Sequence, residues 1–339
     1  MGIARRGISA KLAPGMTAPL ATVFMGTAPL AATILRALRA DSNVALRAVV
    51  TQPDKPKGRD LKLQPSMVKE FAIEARLPVL QPNRARESDF IAQLRALNPD
   101  LIVVAAYGQI LPQTILDLPR LGCLNVHTSL LPKHRGAAPI QWAILDGLTE
   151  TGVTIMKMDA GLDTGPTIST ESLSIDPDDT AATLHHRLAD LGAKLLRETI
   201  PAYADGKLQP RPQPTEGVSY ARKITKEDGL IDWSNSATSI ANRIRALNPW
   251  PSAYTSFQAG GAPQMIKIWK AAADKPTRGQ PGAVVEATRN GIVVACGQDA
   301  LCILELQREG RRRVSAGDFL AGCPLPPGTV LGSWHPKEQ

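Results

Sequence analysis

The chain has 339 residues, 43% of them hydrophobic and 21% charged, with a formal net charge of +8 from 39 basic and 31 acidic side chains. This balance is ordinary for a folded globular protein and excludes disordered, collagenous and coiled-coil readings. The length suits about two domains, each able to bury its own core.

In chain order, the first notable stretch runs from Met16 to Leu35 without a charge, with Arg5, Arg6 and Lys11 upstream. A signal peptide or membrane span shares that outline. Pro19, Gly26, Pro29 and four threonines break it, so it reads as a strand over Ala21–Met25, a turn, and a helix over Leu30–Ala40. Residues 1–19 are expected to form an N-terminal extension, with Met16 a candidate natural start. The short acid-free segment before Met16 also admits a weak organellar targeting reading.

Apolar runs of strand length follow at Val44–Thr51, Leu101–Ala106, Cys123–Val126 and Val153–Met158. Helical patterns separate them at Ser66–Ala75, Ser88–Leu97, Ala137–Leu145 and Thr180–Ala204. This alternation over residues 20–205 predicts an α/β domain, a mostly parallel sheet with helices on both faces. Near-continuous β-branched runs are what strands covered on both sides need.

Residues 206–219 follow, in which Gln209–Pro214 alternates proline with polar side chains, the composition of a semi-extended linker. Beyond it, over 220–339, come a helix at Ala237–Ala246 and short strands at Met265–Lys270, Gly282–Glu286, Gly291–Ala295 and Leu301–Leu306. Glycine and proline turns divide them, as in a small β-barrel. Residues 206–339 carry 17 Lys and Arg against 11 Asp and Glu, whereas residues 1–205 carry 22 against 20. The excess culminates in Arg308, Arg311, Arg312 and Arg313. Charge alone leaves two readings open, a polyanion footprint and a solvated face. The four cysteines, Cys123, Cys296, Cys302 and Cys323, form no CxxC pair and no metal spacing, so free thiols in a reducing compartment are expected.

Neither GxGxxG nor GxxxxGK[ST] is present, which removes the best support for nicotinamide or P-loop chemistry. Gly26-Thr27-Ala28-Pro29 ends the first strand, with Thr27 a candidate N-cap. The run from Leu124 to Gln141 is more informative. Asn125 and His127 lie two apart at a strand's end and so share a face, at the carboxyl edge where open α/β sheets place ligands. Downstream, Asp159-Ala160-Gly161-Leu162-Asp163-Thr164-Gly165 is a glycine-hinged turn that presents a carboxylate. An amide, an imidazole and a carboxylate together suit acyl transfer: Asn donates to a developing oxyanion, His moves protons, and Asp orients the His. Innocent capping of strand ends explains the same residues, and the residues alone leave both open.

The run Ser129-Leu130-Leu131-Pro132-Lys133-His134-Arg135-Gly136-Ala137-Ala138-Pro139-Ile140-Gln141 after Leu124-Asn125-Val126-His127, with Asp163 36 residues beyond His127, resembles the formyltetrahydrofolate-dependent formyltransferases. Thr51–Arg59 and Ala246-Leu247-Asn248-Pro249-Trp250-Pro251 resemble the branch of that family that acts on methionyl-tRNA. The resemblance covers about residues 20–330 and keeps motif order. It implies a Rossmann-like domain followed by an OB-like barrel that binds tRNA, and a catalytic trio of Asn125, His127 and Asp163. It also implies 10-formyltetrahydrofolate as a consumed co-substrate, with tetrahydrofolate released and no metal. The expected partner is methionyl-initiator tRNA, and the expected setting is a cytoplasmic monomer without a membrane.

By the same resemblance, the formyl-folate pocket draws on Val104–Leu111 (with Tyr107, Gly108, Gln109 and Ile110), on Gly26 and Thr27, on Ser129, Leu130, Leu131 and Pro132, and on Asp159 and Gly161. The tRNA contacts fall on Lys55, Lys57, Arg59 and Lys62, in a loop expected to project, and on Arg311, Arg312 and Arg313. The family usually shows proline, an acidic residue, an aromatic and alanine after Gly-Thr. Here Ala28, Pro29 and Leu30 precede Ala31, which bears on the pocket wall rather than the trio. A sugar-amine formyltransferase, a formyl-folate hydrolase and a non-catalytic RNA-binding protein are the competing readings.

Overall fold

A computed structural model of the chain describes residues 18–57, 62–259, 262–275 and 277–332. Nearly all of the expected N-terminal extension lies outside the described residues. The chain divides into two compact units. One holds residues up to 137, 151–173 and 185–220, and the other holds 138–150, 174–184 and 221 onward.

The chain runs β1 (Leu20–Gly26), α1 (Pro29–Arg39), β2 (Val44–Val50), β3 (Lys55–Lys57), β4 (Lys62–Gln64), α2 (Met67–Glu74), β5 (Val79–Leu80), α3 (Ser88–Ala96) and β6 (Leu101–Ala105). It continues through α4 (Gln113–Leu116), β7 (Cys123–His127), β8 (Arg135–Gly136), α5 (Pro139–Leu145), β9 (Glu150–Lys157), β10 (Thr167–Ser174), α6 (Ala181–Ala204) and β11 (Tyr220–Ala221).

The first unit is built on a seven-stranded sheet ordered β10-β9-β7-β6-β1-β2-β5. Strand β1 is buried along its whole length, as a central strand covered on both faces must be. It pairs in parallel with β2 and β6, while β5 continues beyond β2 and β7 beyond β6, also in parallel. After β5 the chain crosses to the other side of β1, so the topological switch lies between β1 and β6.

Helix α1 buries Leu30, Ala31, Ile34, Leu35 and Leu38 at helical spacing, and Pro29 occupies its first turn. Helix α2 is capped by Ser66, whose side chain accepts from the Lys69 amide at 3.1 Å. A core of Val23, Met25, Val50, Phe90, Leu94, Ile102 and Ile115 fills the space beside the sheet.

Two features depart from the sequence expectation. Strand β9 runs antiparallel to β7. A strand buried on both faces shows the same apolar run in either direction, so periodicity could not reveal its sense. Strand β10 was not expected at all, because Thr-Ile-Ser-Thr-Glu-Ser-Leu-Ser fully buries only Ile168. Sheet edges carry such polar strands.

The second unit contains α7 (Ala237–Ala246), β12 (Ala253–Ala259), β13 (Ala262–Asp274), β14 (Val284–Thr288), β15 (Gly291–Ala295), β16 (Ala300–Arg308), β17 (Val314–Ser315) and α8 (Ala316–Gly322). Its strands form an antiparallel sheet ordered β12-β13-β16-β15-β14, with β17 on β16. Trp233, Ile240, Ile244, Phe257, Ile266, Leu301, Ile303 and Phe319 form its core. The sequence reading missed β12, where Thr255 and Ser256 are buried among apolar neighbours and interrupt the apolar run.

All four cysteines are free. Burial pushes the Cys123 thiol up to about 12 and the Cys296 thiol to about 11, so neither is a ready nucleophile. Among the described residues no helix is long and apolar enough to cross a membrane.

Candidate active site

Strand β7 delivers Asn125 and His127 to one face at its carboxyl end, and Asp163 meets both. Asn125 Nδ2 donates to Asp163 Oδ1 at 3.4 Å, and His127 Nδ1 lies 3.7 Å from Asp163 Oδ2. The three side chains expected to work together are therefore brought together. His127 is buried, with Nε2 3.0 Å from the His134 carbonyl. A carbonyl oxygen only accepts, so Nε2 carries the hydrogen and donates. Nδ1, on the carboxylate side, is left to take or give a proton. The His134 backbone oxygen fixes the His127 ring.

Asp163 sits in the left-handed region at φ 52°, a conformation that costs a residue with a side chain about 1–2 kcal/mol. Surrounding contacts over-determine it. The Gly136 amide donates to Asp163 Oδ2 at 2.8 Å. Gln213 Nε2 donates to the carbonyls of Asp163 and Gly165, both at 2.8 Å. Gln213 Oε1 accepts from Arg135 Nη2 at 2.7 Å and Nε at 3.1 Å. Within the turn, Asp159 Oδ1 accepts from the Gly161 amide at 3.0 Å and from Thr164 Oγ1 at 2.8 Å.

The segment after residue 205, expected as a semi-extended linker, makes specific contacts with this loop and its surroundings. Gln213 grips the Asp163 loop, Arg211 exchanges backbone hydrogen bonds with Thr167, and Ser219 Oγ accepts from the His134 amide at 2.9 Å. No motif marks Gln213 in sequence, whereas Arg135 and Gly136 lie inside the run that carries the family resemblance.

The turns after β1 and β6 close together at the switch point. The amides of Thr27 and Ala28 donate to the Ala106 carbonyl at 3.2 and 3.3 Å. Thr27 does not cap α1, whose N-cap is Ala28 without a side-chain bond. Its hydroxyl instead donates to the Tyr107 carbonyl at 3.1 Å and accepts from the Gln52 amide at 3.2 Å. Its reach to the neighbouring turn outweighs a local cap. Gln52 Nε2 donates to the same Tyr107 carbonyl at 2.8 Å, beside Gly108 at φ 81°.

The Tyr107 ring is buried. It is 2% exposed in the apolar core, and burial pushes its hydroxyl up to about 12. Its carbonyl serves the contacts to Thr27 and Gln52. Gln109 is occupied in holding residues 83–85, accepting from the Ala85 amide at 2.7 Å. Ile110 remains 88% exposed. Ser129 is buried and donates to the Lys133 carbonyl at 2.6 Å, while the Leu131 amide donates to Thr154 Oγ1 at 3.2 Å and Pro132 follows a cis peptide. These residues shape the turn after His127, Ser129 through its hydroxyl and Leu131 through its amide. Leu130 packs near Gly152.

Of the expected tRNA contacts, Lys55 and Lys57 lie on β3 and Lys62 on β4, two short strands that pair antiparallel. The pairing of Lys55 with Gln64 and of Lys57 with Lys62 gives the basic segment a defined base. Lys55 Nζ donates to Gln52 Oε1 at 2.7 Å, and Arg59 lies outside the described residues. In the second unit Arg311 and Arg312 are exposed. Arg313 is engaged with Glu305 and stacks over Trp269, 5.4 Å from the ring centre.

Asn125, His127 and Asp163 thus converge at the carboxyl end of a strand in an α/β sheet, the donor set that acyl transfer uses, and the family comparison gives the class. The formyl transferase family model matches residues 20–200, and the formyl transferase C-terminal domain model matches residues 223–324. The chain belongs to the formyl transferase family.

Within that family it is similar to the methionyl-tRNA formyltransferase of Geobacter metallireducens, 49% identical over 316 residues, 93% of this chain and 99% of that protein. The methionyl-tRNA formyltransferase of Myxococcus xanthus is 48% identical over 307 residues, 91% of this chain and 96% of that protein.

Solved structures share the fold. The N-formyltransferase from Helicobacter canadensis, in complex with folinic acid and dTDP-3-aminofucose, superposes with a TM-score of 0.60 at 18% identity, covering 85% of this chain and 99% of that one. HypX from Aquifex aeolicus, in complex with tetrahydrofolic acid, gives 0.57 at 15% identity and covers 89% of this chain. The chain spans about half of HypX, 47% of its length.

Proposed function

We propose that this chain transfers the formyl group of 10-formyltetrahydrofolate to the free amino group of methionyl-initiator tRNA, yielding formylmethionyl-tRNA for translation initiation. The observation that carries the reading is the convergence of Asn125, His127 and Asp163 in a chain that aligns along 93% of its length with a methionyl-tRNA formyltransferase.

The donor set suits a formyl group. Its carbonyl needs N–H donors as negative charge develops on oxygen, and its attacking amine must lose a proton. The formyl donor supplies an activated one-carbon unit, because its nitrogen is a competent leaving group. Asn125 Nδ2–H serves the developing oxyanion, at the expense of its long contact with Asp163. His127, held through Nε2, offers Nδ1 for proton movement beside the carboxylate. Asp163 orients that edge of the ring.

The strand pair that carries Lys55, Lys57 and Lys62, together with Arg59, is assigned to the acceptor end of the tRNA. Arg311 and Arg312 are assigned to its phosphates, and the working species to a cytoplasmic monomer. The reading is tested by incubating the chain with both substrates, hydrolysing the aminoacyl ester and identifying the released amino acid. N-formylmethionine supports it, and unmodified methionine refutes it.

A further inference from the structure

We infer that Gln213 is a positioning residue for Asp163, an inference that rests on the formyl-transfer reading above. Every polar position of its amide is used. Arg135 has only donors to offer, so the amide oxygen must face the guanidinium. That fixes the flip of the amide and aims both N–H groups at the carbonyls of Asp163 and Gly165. Arg135 is itself buried at 9% exposure, so the anchor of this arrangement is not a loose surface charge.

Asp163 is therefore gripped at two points. Gly136, next to Arg135, holds the carboxylate, and Gln213 holds the carbonyl of the same residue and that of Gly165. Between them they keep a non-glycine residue at φ 52°, the conformation that turns the carboxylate towards Asn125 and His127. The segment carrying Gln213 thus sets the geometry of the reacting centre without touching it.

The experiment compares single-turnover formyl transfer from 10-formyltetrahydrofolate to methionyl-tRNA in wild type, Gln213→Met, Gln213→Glu, Asp163→Asn and Gln213→Met/Asp163→Asn. Met keeps the length and loses every hydrogen bond. Glu keeps the length and the Arg135 partner but sets an oxygen against two carbonyls, so it remains informative if the Met variant folds poorly.

Both Gln213 variants should transfer about ten- to a hundredfold more slowly, the scale of a small misplacement of a reacting group. Binding of tRNA and folate should change by less than about twofold, and Gln213→Met should cost less than about twofold more once Asp163 is already Asn. Wild-type rates in a folded Gln213 variant, beside an impaired Asp163→Asn, overturn the inference and leave the formyl-transfer reading standing. A full additive loss in the double variant also overturns it, because general damage is additive. A wild-type rate for Asp163→Asn refutes the reading of the site, and the inference with it.

Discussion

The Gly136 amide donates to Asp163 Oδ2 at 2.8 Å, closer than Asn125 at 3.4 Å or His127 at 3.7 Å on the same carboxylate. The loop carboxylate is thus held by backbone, and the two β7 side chains lean on a fixed point. Removing either of them subtracts its own chemistry without releasing Asp163. Asn125→Ala should lower the single-turnover rate on the order of 10²–10³, the effect of losing an oxyanion donor. His127→Ala should lower it on the order of 10²–10⁴ as a general acid or base. Affinity for tRNA should stay near wild type in both, as equilibrium binding would show.

Gly165 tests the loop from the side of packing. A Cβ there would stand 1.9 Å from the Lys157 carbonyl and 3.2 Å from the Asp159 amide, both backbone. Neither can move aside alone, so Gly165→Ala must shift the turn that carries Asp163. Overpacking of this kind costs about 1–3 kcal/mol. A melting temperature lowered by a few degrees with a disproportionate loss of transfer is expected, measured by calorimetry and by the same rate assay. Wild-type transfer would show that the loop's position is not critical.

Much of this was legible in the sequence, and the remainder was hidden for physical reasons. Asn125 and His127 could be placed on one face because strand side chains alternate with a period of two. Asp163 followed from its glycine-hinged turn. Gln213 could not, since the groups it donates to are backbone carbonyls 48 and 50 residues away, which leave no trace in side-chain identity, and its one side-chain partner, Arg135, is 78 residues away. Tyr107 was expected to meet ligand, yet the chain reverses at Ala106, φ 43°, and its ring enters the core. Strand β10 was hidden by its solvated edge, and β12 by the hydroxyls of Thr255 and Ser256 buried within it.

The second unit carries an acid-sensitive clasp. Arg222 donates to Asp228 through both terminal nitrogens, and the Thr225 amide donates to the same carboxylate at 2.7 Å. Arg222 holds the Asp228 carboxyl down at about 2, against an ordinary 3.8. A lowered folded-state value means that this stabilisation is complete above the unfolded value and is lost as pH falls through the folded one. Asp228→Asn should therefore destabilise the protein by about 1–2 kcal/mol at neutral pH, allowing for solvent screening. The gap from wild type should close between about pH 4 and pH 2, as urea unfolding across that range would show. A gap independent of pH would mean that the charge is not what Arg222 recognises.

The arginine block divides by structure. Arg313, although exposed like its two neighbours, is engaged with Glu305 and Trp269. If Arg311 and Arg312 meet tRNA phosphates, neutralising both should flatten the log–log salt dependence of binding by about 1–2 units, at 0.7–0.9 per phosphate. Binding should weaken for many tRNAs alike, because phosphate contacts carry no sequence information. Arg313→Gln should change the slope less. An unchanged slope in the Arg311→Gln/Arg312→Gln variant would remove the patch from the tRNA footprint.

The central claim is tested most directly by competition for the formyl group. Wild-type protein is mixed with 10-formyltetrahydrofolate and equal concentrations of methionyl-tRNA and a nucleotide-linked amino sugar, in water as the third acceptor, and the formylated products are quantified by mass spectrometry. The account predicts formyl on the methionyl amine, matched one for one by tetrahydrofolate released, with the sugar unmodified and little free formate. Formylated sugar, or formate released in place of formylmethionyl-tRNA, would contradict it.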